Sequence, residues 1–441
     1  MFEPQTYAIL MLVAFFALLM IGVPVATTLA TVGFVFGYLG FGDSLFSLLP
    51  ARFYGIVAGY QWMAIPLFVF MGVMLEKSRL ADDLLDVMGH IAGGVRGGMG
   101  VGIILFGVLM GATTGIVGAT VITLGLLTLP TLIKRGYNKS IACGAICASG
   151  TLGQIIPPSL ILILLSDIMQ LSVGTLFAAA VGPGLLLSAV YIIFLLVLGW
   201  LKPDLMPPIP QDERDGVSRR QLWIRFWKVV VPPIMLVVAV LGSIVGGIAA
   251  PTEAASMGAV GAVLITALSG RFNIKVLKDA ALGTSKITAI MMLILMTAQV
   301  FALAFRGLHG EDLITKMFDL LPGGVNSDIW FMMVLIFILG FFIEWIEISY
   351  IAVPLFLPVL LAQGVDPVWL AMLITVNLQS SFLTPPFGWA LFYLKGVAPP
   401  EVTIKDIYKG VVPFIAMQFV ALLLLFFYPQ IALWLPKVIG W

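Results

Sequence analysis

Apolar runs long enough to cross a bilayer follow one another along this sequence, near residues 7–22, 24–40, 60–76, 140–165, 172–201, 229–248, 251–268, 284–306, 367–394 and 411–434. Such a chain has little choice of fold. At membrane depth no water is present to satisfy a backbone amide or carbonyl, so each run must close its own hydrogen bonds. The fold class expected is an all-α polytopic membrane protein. Composition agrees: at 61% hydrophobic and 10% charged residues, with a mean hydropathy of +1.12, no soluble domain fits in what remains. A formal net charge of +1, with 23 basic residues scattered over short loops, leaves no nucleic-acid footprint. No basic residue precedes Arg52, so the first run is expected to stay as a membrane helix and not to be cleaved as a signal peptide.

Two further runs, about 101–133 and 328–362, are too long for one comfortable span, and each is interrupted in the middle. The first breaks at Gly111-Ala112-Thr113-Thr114-Gly115, the second at Glu344-Trp345-Ile346-Glu347. A re-entrant hairpin that enters and returns to the same side fits both, because non-helical backbone is tolerated at that depth only where protein or a water-filled cavity surrounds it.

Laid on itself with an offset of 228 residues, the chain aligns Pro130 with Pro358, Pro157 with Pro385 and Pro158 with Pro386, while Gly136 meets Gly364 and Ser149 meets Asn377. Apolar identities are cheap in such a sequence; scarce prolines in register are not. The organisation read from this is two repeats, 1–228 and 229–441. Each holds scaffold helices, one hairpin and one broken helix, at 140–165 and 367–394, with a cytoplasmic loop at 202–228 closing the first. The connector after the first hairpin, Lys134-Arg135-Gly136-Tyr137-Asn138-Lys139, has three basic residues, and its counterpart, Ala362-Gln363-Gly364-Val365-Asp366-Pro367, has none. The positive-inside rule puts the first in the cytoplasm and the second outside, so the repeat is inverted and both termini are external. Amphipathic stretches at Asp43–Gly55, Leu80–Ile91 and Phe272–Leu282 read as helices along the interface.

Chemistry concentrates in the broken helices and the hairpin tips. Ser149, Gly150 and Thr151 precede Pro157-Pro158, and Asn377, Ser380 and Thr384 precede Pro385-Pro386. A proline pair cannot supply two amide donors, so upstream carbonyls leave the helix ladder. Carbonyls and hydroxyls are hard oxygen ligands suited to Na⁺, and paired Gly/Pro-interrupted segments in two halves point to a secondary transporter's site. The cation site is therefore assigned to Ser149, Gly150, Thr151, Pro157, Glu344, Asn377, Ser380, Thr384 and Pro385. Glu344 and Glu347 stand in an otherwise apolar tip, where an ionisable residue costs ~2.5–3.5 kcal/mol on insertion scales and so marks function. A substrate site is assigned to Thr113, Thr114, Gly115 and Glu347. Cys143 and Cys147 read as small packing residues, and Pro251-Thr252-Glu253 as a capped helix start. His90 and His309, far apart in loop-like settings, and the missing H-E-x-x-H, G-x-S-x-G and Walker motifs argue against an enzyme. No cofactor is expected beyond Na⁺ as coupling ion.

Several local motifs carry a family resemblance. Gly22-Val23-Pro24-Val25-Ala26, Ala64-Ile65-Pro66-Leu67-Phe68, Ile155-Ile156-Pro157-Pro158-Ser159, Pro251-Thr252-Glu253-Ala254-Ala255 and Leu383-Thr384-Pro385-Pro386 together make the chain resemble, over nearly its whole length, the large membrane subunit of tripartite ATP-independent periplasmic (TRAP) transporters. The resemblance implies an elevator-type fold and Na⁺-coupled uptake of small organic acids across the bacterial inner membrane. It also implies two partners, a small membrane subunit and a periplasmic substrate-binding protein. Two departures stand out: Thr120 occupies the position of a family Asp at the first tip, and Glu344-Trp345-Ile346 replaces Asp-Thr-Thr at the second. The second departure resembles the branch for 2-oxo acids, lactate and similar acids. The other function open on the residues is a stand-alone dicarboxylate carrier or Na⁺/H⁺ antiporter of related architecture.

Overall fold

The computed structural model describes residues 4–78, 80–115, 117–209 and 218–441, and every regular element among them is helical. Among the described residues seven helices are long and apolar enough to cross a membrane: Val117–Lys134, Val173–Leu201, Arg220–Val245, Pro251–Leu268, Ile274–Gly307, Trp345–Ala362 and Ile404–Phe427. Shorter apolar helices, including Gln5–Met20, Val25–Phe41 and Pro367–Leu383, occupy other expected runs. The all-α polytopic reading therefore holds.

Helix starts recur at the offset seen in the sequence. Asn138 caps Lys139–Leu152 by accepting from the amides of Ser140 and Ile141; Asp366, 228 residues on, caps Pro367–Leu383 by accepting from Val368 and Trp369. Packing crosses that pairing, since at this offset Val25 falls on Glu253 and Ala64 on Met292. Val25–Phe41 lies along Ile274–Gly307, and Ala64–Lys77 lies along Pro251–Leu268. The first contact is close enough that a Cβ on Gly33 would stand 2.8 Å from the Phe301 amide nitrogen. Small residues serve here as they do generally in membrane helix packing, where backbones must approach.

Several expectations shift. Ser44–Val57 and Leu80–Ala92 form as separate amphipathic helices, but Phe272–Leu282 does not: from Ile274 it is continuous with the following span in one 34-residue helix, Ile274–Gly307. The first half breaks at Gly59, whereas its counterpart 228 residues later is Ile287, which gives the helix no reason to stop. The run at 411–434 ends at Phe427 because Pro429 opens a new helix, Gln430–Val438. Part of the loop 202–228 is helical, Arg219–Val229, where Arg225 pairs with Asp86 at 2.8 Å. His90 sits in the last turn of Leu80–Ala92 and not in a loop; its Nδ1 lies 3.2 Å from Asp86. The capped start at Pro251 is present: Glu253 accepts from the Ala250 amide at 2.9 Å.

Candidate substrate and cation site

Each hairpin is two helices joined by a short break. The first consists of Gly98–Thr114 followed by Val117–Leu127 and Leu129–Lys134, with Gly115 at φ +62° ending the first arm. The second consists of Val325–Leu339 and Trp345–Ala362, with Glu344 as the residue that opens the second arm. Both breaks are displaced from the sequence expectation. Gly111–Thr114 remain helical, and the second break covers residues 340–344, which leaves Glu347 in the first helical turn. The side chains of Thr113 and Thr114 lie outside the described residues.

The broken helices hold these hairpins in a consistent way. The Ser149 hydroxyl donates to the Ile103 carbonyl at 2.7 Å, and the Asn377 Nδ2 donates to the Met333 carbonyl at 2.7 Å, so equivalent polar residues tie each broken helix to the first arm of its own hairpin. Beyond the prolines, the second pieces cross over: Leu160–Ile168 packs on Trp345–Ala362, and Trp389–Val397 packs on Val117–Leu127. Gly118 shows how closely; a Cβ there would lie 3.1 Å from the Tyr393 ring. Interlocked in this manner, the two tips meet. A cavity of about 90 Å³ between them is lined by Val117, Gly118, Glu344, Trp345, Phe382 and Tyr393, among others.

Glu344 lines this cavity, and its Oε1 accepts from the Tyr393 hydroxyl at 3.2 Å. Glu347 is 6% exposed, and its Oε2 is buried with no hydrogen-bond partner among the described residues. Among the described residues neither carboxylate has a cationic partner. Gly115 is placed beside Leu160, and Gly150 against Val121.

The remaining assigned residues divide. Ser149, Gly150, Thr151, Asn377 and Ser380 lie in the last turns of continuous helices, not in the breaks, which run over residues 153–159 and 384–388. Thr151 donates to the Ala148 carbonyl at 2.9 Å, Ser380 to Val376 at 3.2 Å and Thr384 to Ser380 at 2.7 Å. A hydroxyl whose proton is committed to a carbonyl offers only lone pairs, which is the form a cation ligand needs. The Pro157–Pro158 and Pro385–Pro386 bonds are both cis. Pro157 also lines a separate apolar groove with Ile156, Gly184 and Ile234, away from Glu344.

Two side chains between the assigned polar residues and the proline pairs are the least satisfied. Gln154 and Gln379 are 1% and 0% exposed, and neither amide oxygen nor nitrogen has a hydrogen-bond partner among the described residues. Gln418, fully buried on Ile404–Phe427, reaches Thr151 Oγ1 at 3.5 Å and leaves its own oxygen unpartnered. Neither these glutamines nor Tyr393 were assigned from the sequence. The only sequence signal for these residues is polarity within an apolar run, which does not by itself separate a lipid-facing tyrosine from a buried one.

Residues 12–431 match the family described as Tripartite ATP-independent periplasmic transporter, DctM component. Among curated proteins the chain is 27% identical to the C4-dicarboxylate TRAP transporter large permease protein DctM of Vibrio cholerae, over 98% of this chain and 97% of that one. It is 30% identical to the isethionate TRAP transporter permease protein DctMQ of Oleidesulfovibrio alaskensis, over 95% of this chain and 65% of that longer one. Among solved structures it is similar to the YdaH transporter of Alcanivorax borkumensis at a TM-score of 0.64 and 15% identity, covering 97% of this chain and 98% of that one, a likeness of fold alone. With the family matched over nearly the whole length and the apolar helices in place, the chain belongs to the DctM family of TRAP transporters, as its large, multi-pass permease of the bacterial inner membrane.

Proposed function

We propose that this permease carries small organic acids inward, driven by Na⁺, with alternating access of the elevator type. One observation carries the cation coupling: two carboxylates, Glu344 lining the cavity between the tips and Glu347 buried in the helical turn that follows, have no cationic side chain beside them among the described residues. A buried carboxylate left alone is expensive and calls for a cation or a proton. Hydroxyl and amide oxygens at Thr151, Ser380, Thr384 and Gln379 supply the neutral part of a Na⁺ coordination shell. The substrate is a small anion, as the named cargoes of the C4-dicarboxylate and isethionate relatives are. A carboxylate side chain repels an anion in a low-dielectric site. The substrate's own carboxylate is therefore met by donors of the first tip, for which the Thr113–Thr114 hydroxyls are the candidates since the Gly115 amide already donates to the Gly111 carbonyl at 2.9 Å, while Glu344 and Glu347 order the second tip around the cation. The partners are a small membrane subunit, which extends the scaffold, and a periplasmic binding protein, which delivers the ligand.

Proteoliposome uptake with the binding protein and small subunit tests this. Glu344→Gln keeps the shape and the Tyr393 contact but loses the charge, and Na⁺-driven uptake is expected to fall severely at unchanged membrane yield. Full uptake with unaltered Na⁺ dependence would assign Glu344 to structure alone. Uptake by the unmodified protein that ignores Na⁺ would sink the coupling.

A further inference from the structure

A second, larger cavity of about 280 Å³ is bordered by Arg52, Asp167, Gln299, Arg306 and Tyr350, among others. Four separate segments supply these side chains: the amphipathic helix Ser44–Val57, the end of Leu160–Ile168, the last turns of Ile274–Gly307 and the second arm of the second hairpin. Asp167 lies at the far end of its broken helix from the basic connector Lys134–Lys139, and Arg306 at the far end of its helix from Lys275 and Lys278. By the charge rule that end is external, the side from which a ligand arrives.

Charge is scarce in this chain, yet this cavity gathers two arginines and an aspartate. Arg306 is held through its Nε by Glu311 at 3.0 Å, which leaves its terminal nitrogens available. Arg52 and the Asp167 carboxylate have no ion-pair partner among the described residues. Tyr350 adds an independent observation. It is 3% exposed, stacked on Trp62 with ring centroids 6.4 Å apart, and its hydroxyl has no hydrogen-bond partner among the described residues. Burying a hydroxyl unpaired carries its desolvation penalty uncompensated, a penalty that a polar guest in this cavity removes.

Size separates the two cavities. At about 90 Å³ the space between the tips holds a few waters and no organic acid, whereas about 280 Å³ approaches the range of small-ligand pockets. Tyr350 is six residues beyond Glu344 on one helix, a rise of about 9 Å, so the larger cavity stands one to two turns outward of the tip.

We infer that this cavity is an external capture site for a hydroxy acid, occupied before the substrate reaches the tips. The carboxylate is received by Arg52 and the terminal nitrogens of Arg306 and accepts from the Tyr350 hydroxyl; the ligand's hydroxyl donates to Asp167. A dicarboxylate fits less well, because its second carboxylate would face Asp167. This rests on the reading of the permease as an organic-acid carrier, so binding and transport are measured separately.

Equilibrium binding of radiolabelled L-lactate and succinate to the full chain in nanodiscs, at constant ionic strength, is the test. L-lactate is expected to bind more tightly than succinate. Arg52→Gln should weaken lactate binding about tenfold or more, as loss of a charge-assisted bond does, Arg52→Lys should recover part of it, and Asp167→Asn should narrow the preference over succinate. Arg52 is exposed on an amphipathic helix, so folding is not at stake; Tyr350→Phe, which keeps the Trp62 stack, provides a second variant and should weaken lactate several-fold, about the worth of one hydrogen bond. Lactate binding that is undetectable in the parent protein, or unchanged in both Arg52→Gln and Tyr350→Phe, overturns the capture site. If Na⁺-driven uptake of either acid in proteoliposomes persists in that case, the carrier reading survives; if no carboxylate is taken up, both fall.

Discussion

The buried amides of Gln154, at the start of the first proline break, and of Gln379, in the helix that runs into the second, have no hydrogen-bond partner among the described residues. Each unpaired buried amide costs roughly 1–3 kcal/mol. A side chain kept at that cost without a protein partner is waiting for something else: an ion, a substrate oxygen or a water that moves with them. The consequence is testable through opposite effects on two readouts. Gln379→Leu removes the unsatisfied groups at similar volume, so the thermal midpoint of the purified protein should hold or rise while Na⁺-driven uptake falls. A clear drop in the midpoint would mean that the amide is already satisfied in the resting protein and serves its packing. The sequence points to these segments but does not separate their members. Ser149 and Asn377 stand out as polar residues before a proline pair, yet both donate to a hairpin carbonyl, whereas the glutamines beside them do not. Which of several neighbouring polar groups is left over depends on where the facing carbonyls fall, and that is a tertiary fact.

At the scale of elements, the hairpins were legible as interrupted apolar runs, but their breaks were misplaced for a physical reason. Gly111 looks like a helix breaker from composition; in the fold it is a contact residue. A Cβ on Gly111 would stand 2.1 Å from the Gly153 Cα, and one on Gly340 would stand 2.1 Å from the Ser381 hydroxyl. In both halves a small residue near the hairpin tip lets its first arm press against the end of the broken helix. Backbone cannot yield as a side chain tip can, so Gly111→Val should separate the first hairpin from Lys139–Leu152 and destabilise by at least the ~1–3 kcal/mol of ordinary overpacking. Gly242→Ala, in a helix where the added methyl meets nothing within 4 Å, is the control and should be neutral or mildly stabilising. Equal stability of the two variants in thermal unfolding would show that the first hairpin is not clamped at this point. The same logic accounts for the fused helix Ile274–Gly307: the first half carries Gly59 at its break, and the second carries Ile287 in a helix that continues.

For the whole molecule, the cross-packing sets a constraint that no single element reveals. The second piece of each broken helix lies on the hairpin of the other half, and each first piece holds its own hairpin, so each hairpin is packed by pieces of both broken helices. Such mutual support is what a pseudo-two-fold arrangement gives, and an axis in the membrane plane requires equivalent connectors to face opposite sides. Charge provides the direction: Lys134, Arg135 and Lys139 in the first connector against none in residues 362–367. Single cysteines at Lys139 and Gln363 read out the two connectors directly. The background needs Cys143 and Cys147 replaced by alanine, and both are buried in Lys139–Leu152, so Cβ-sized side chains fit there. Each probe position gives up one bond, Lys139 to the Glu401 carbonyl at 3.0 Å and Gln363 to Asp328 at 2.9 Å, a modest loss that keeps the connectors in place. A membrane-impermeant maleimide is expected to label Gln363→Cys in intact spheroplasts and Lys139→Cys only after the membrane is opened. Labelling of both from one side would mean that the halves run parallel, and the shared register of their prolines would then record duplication without inversion.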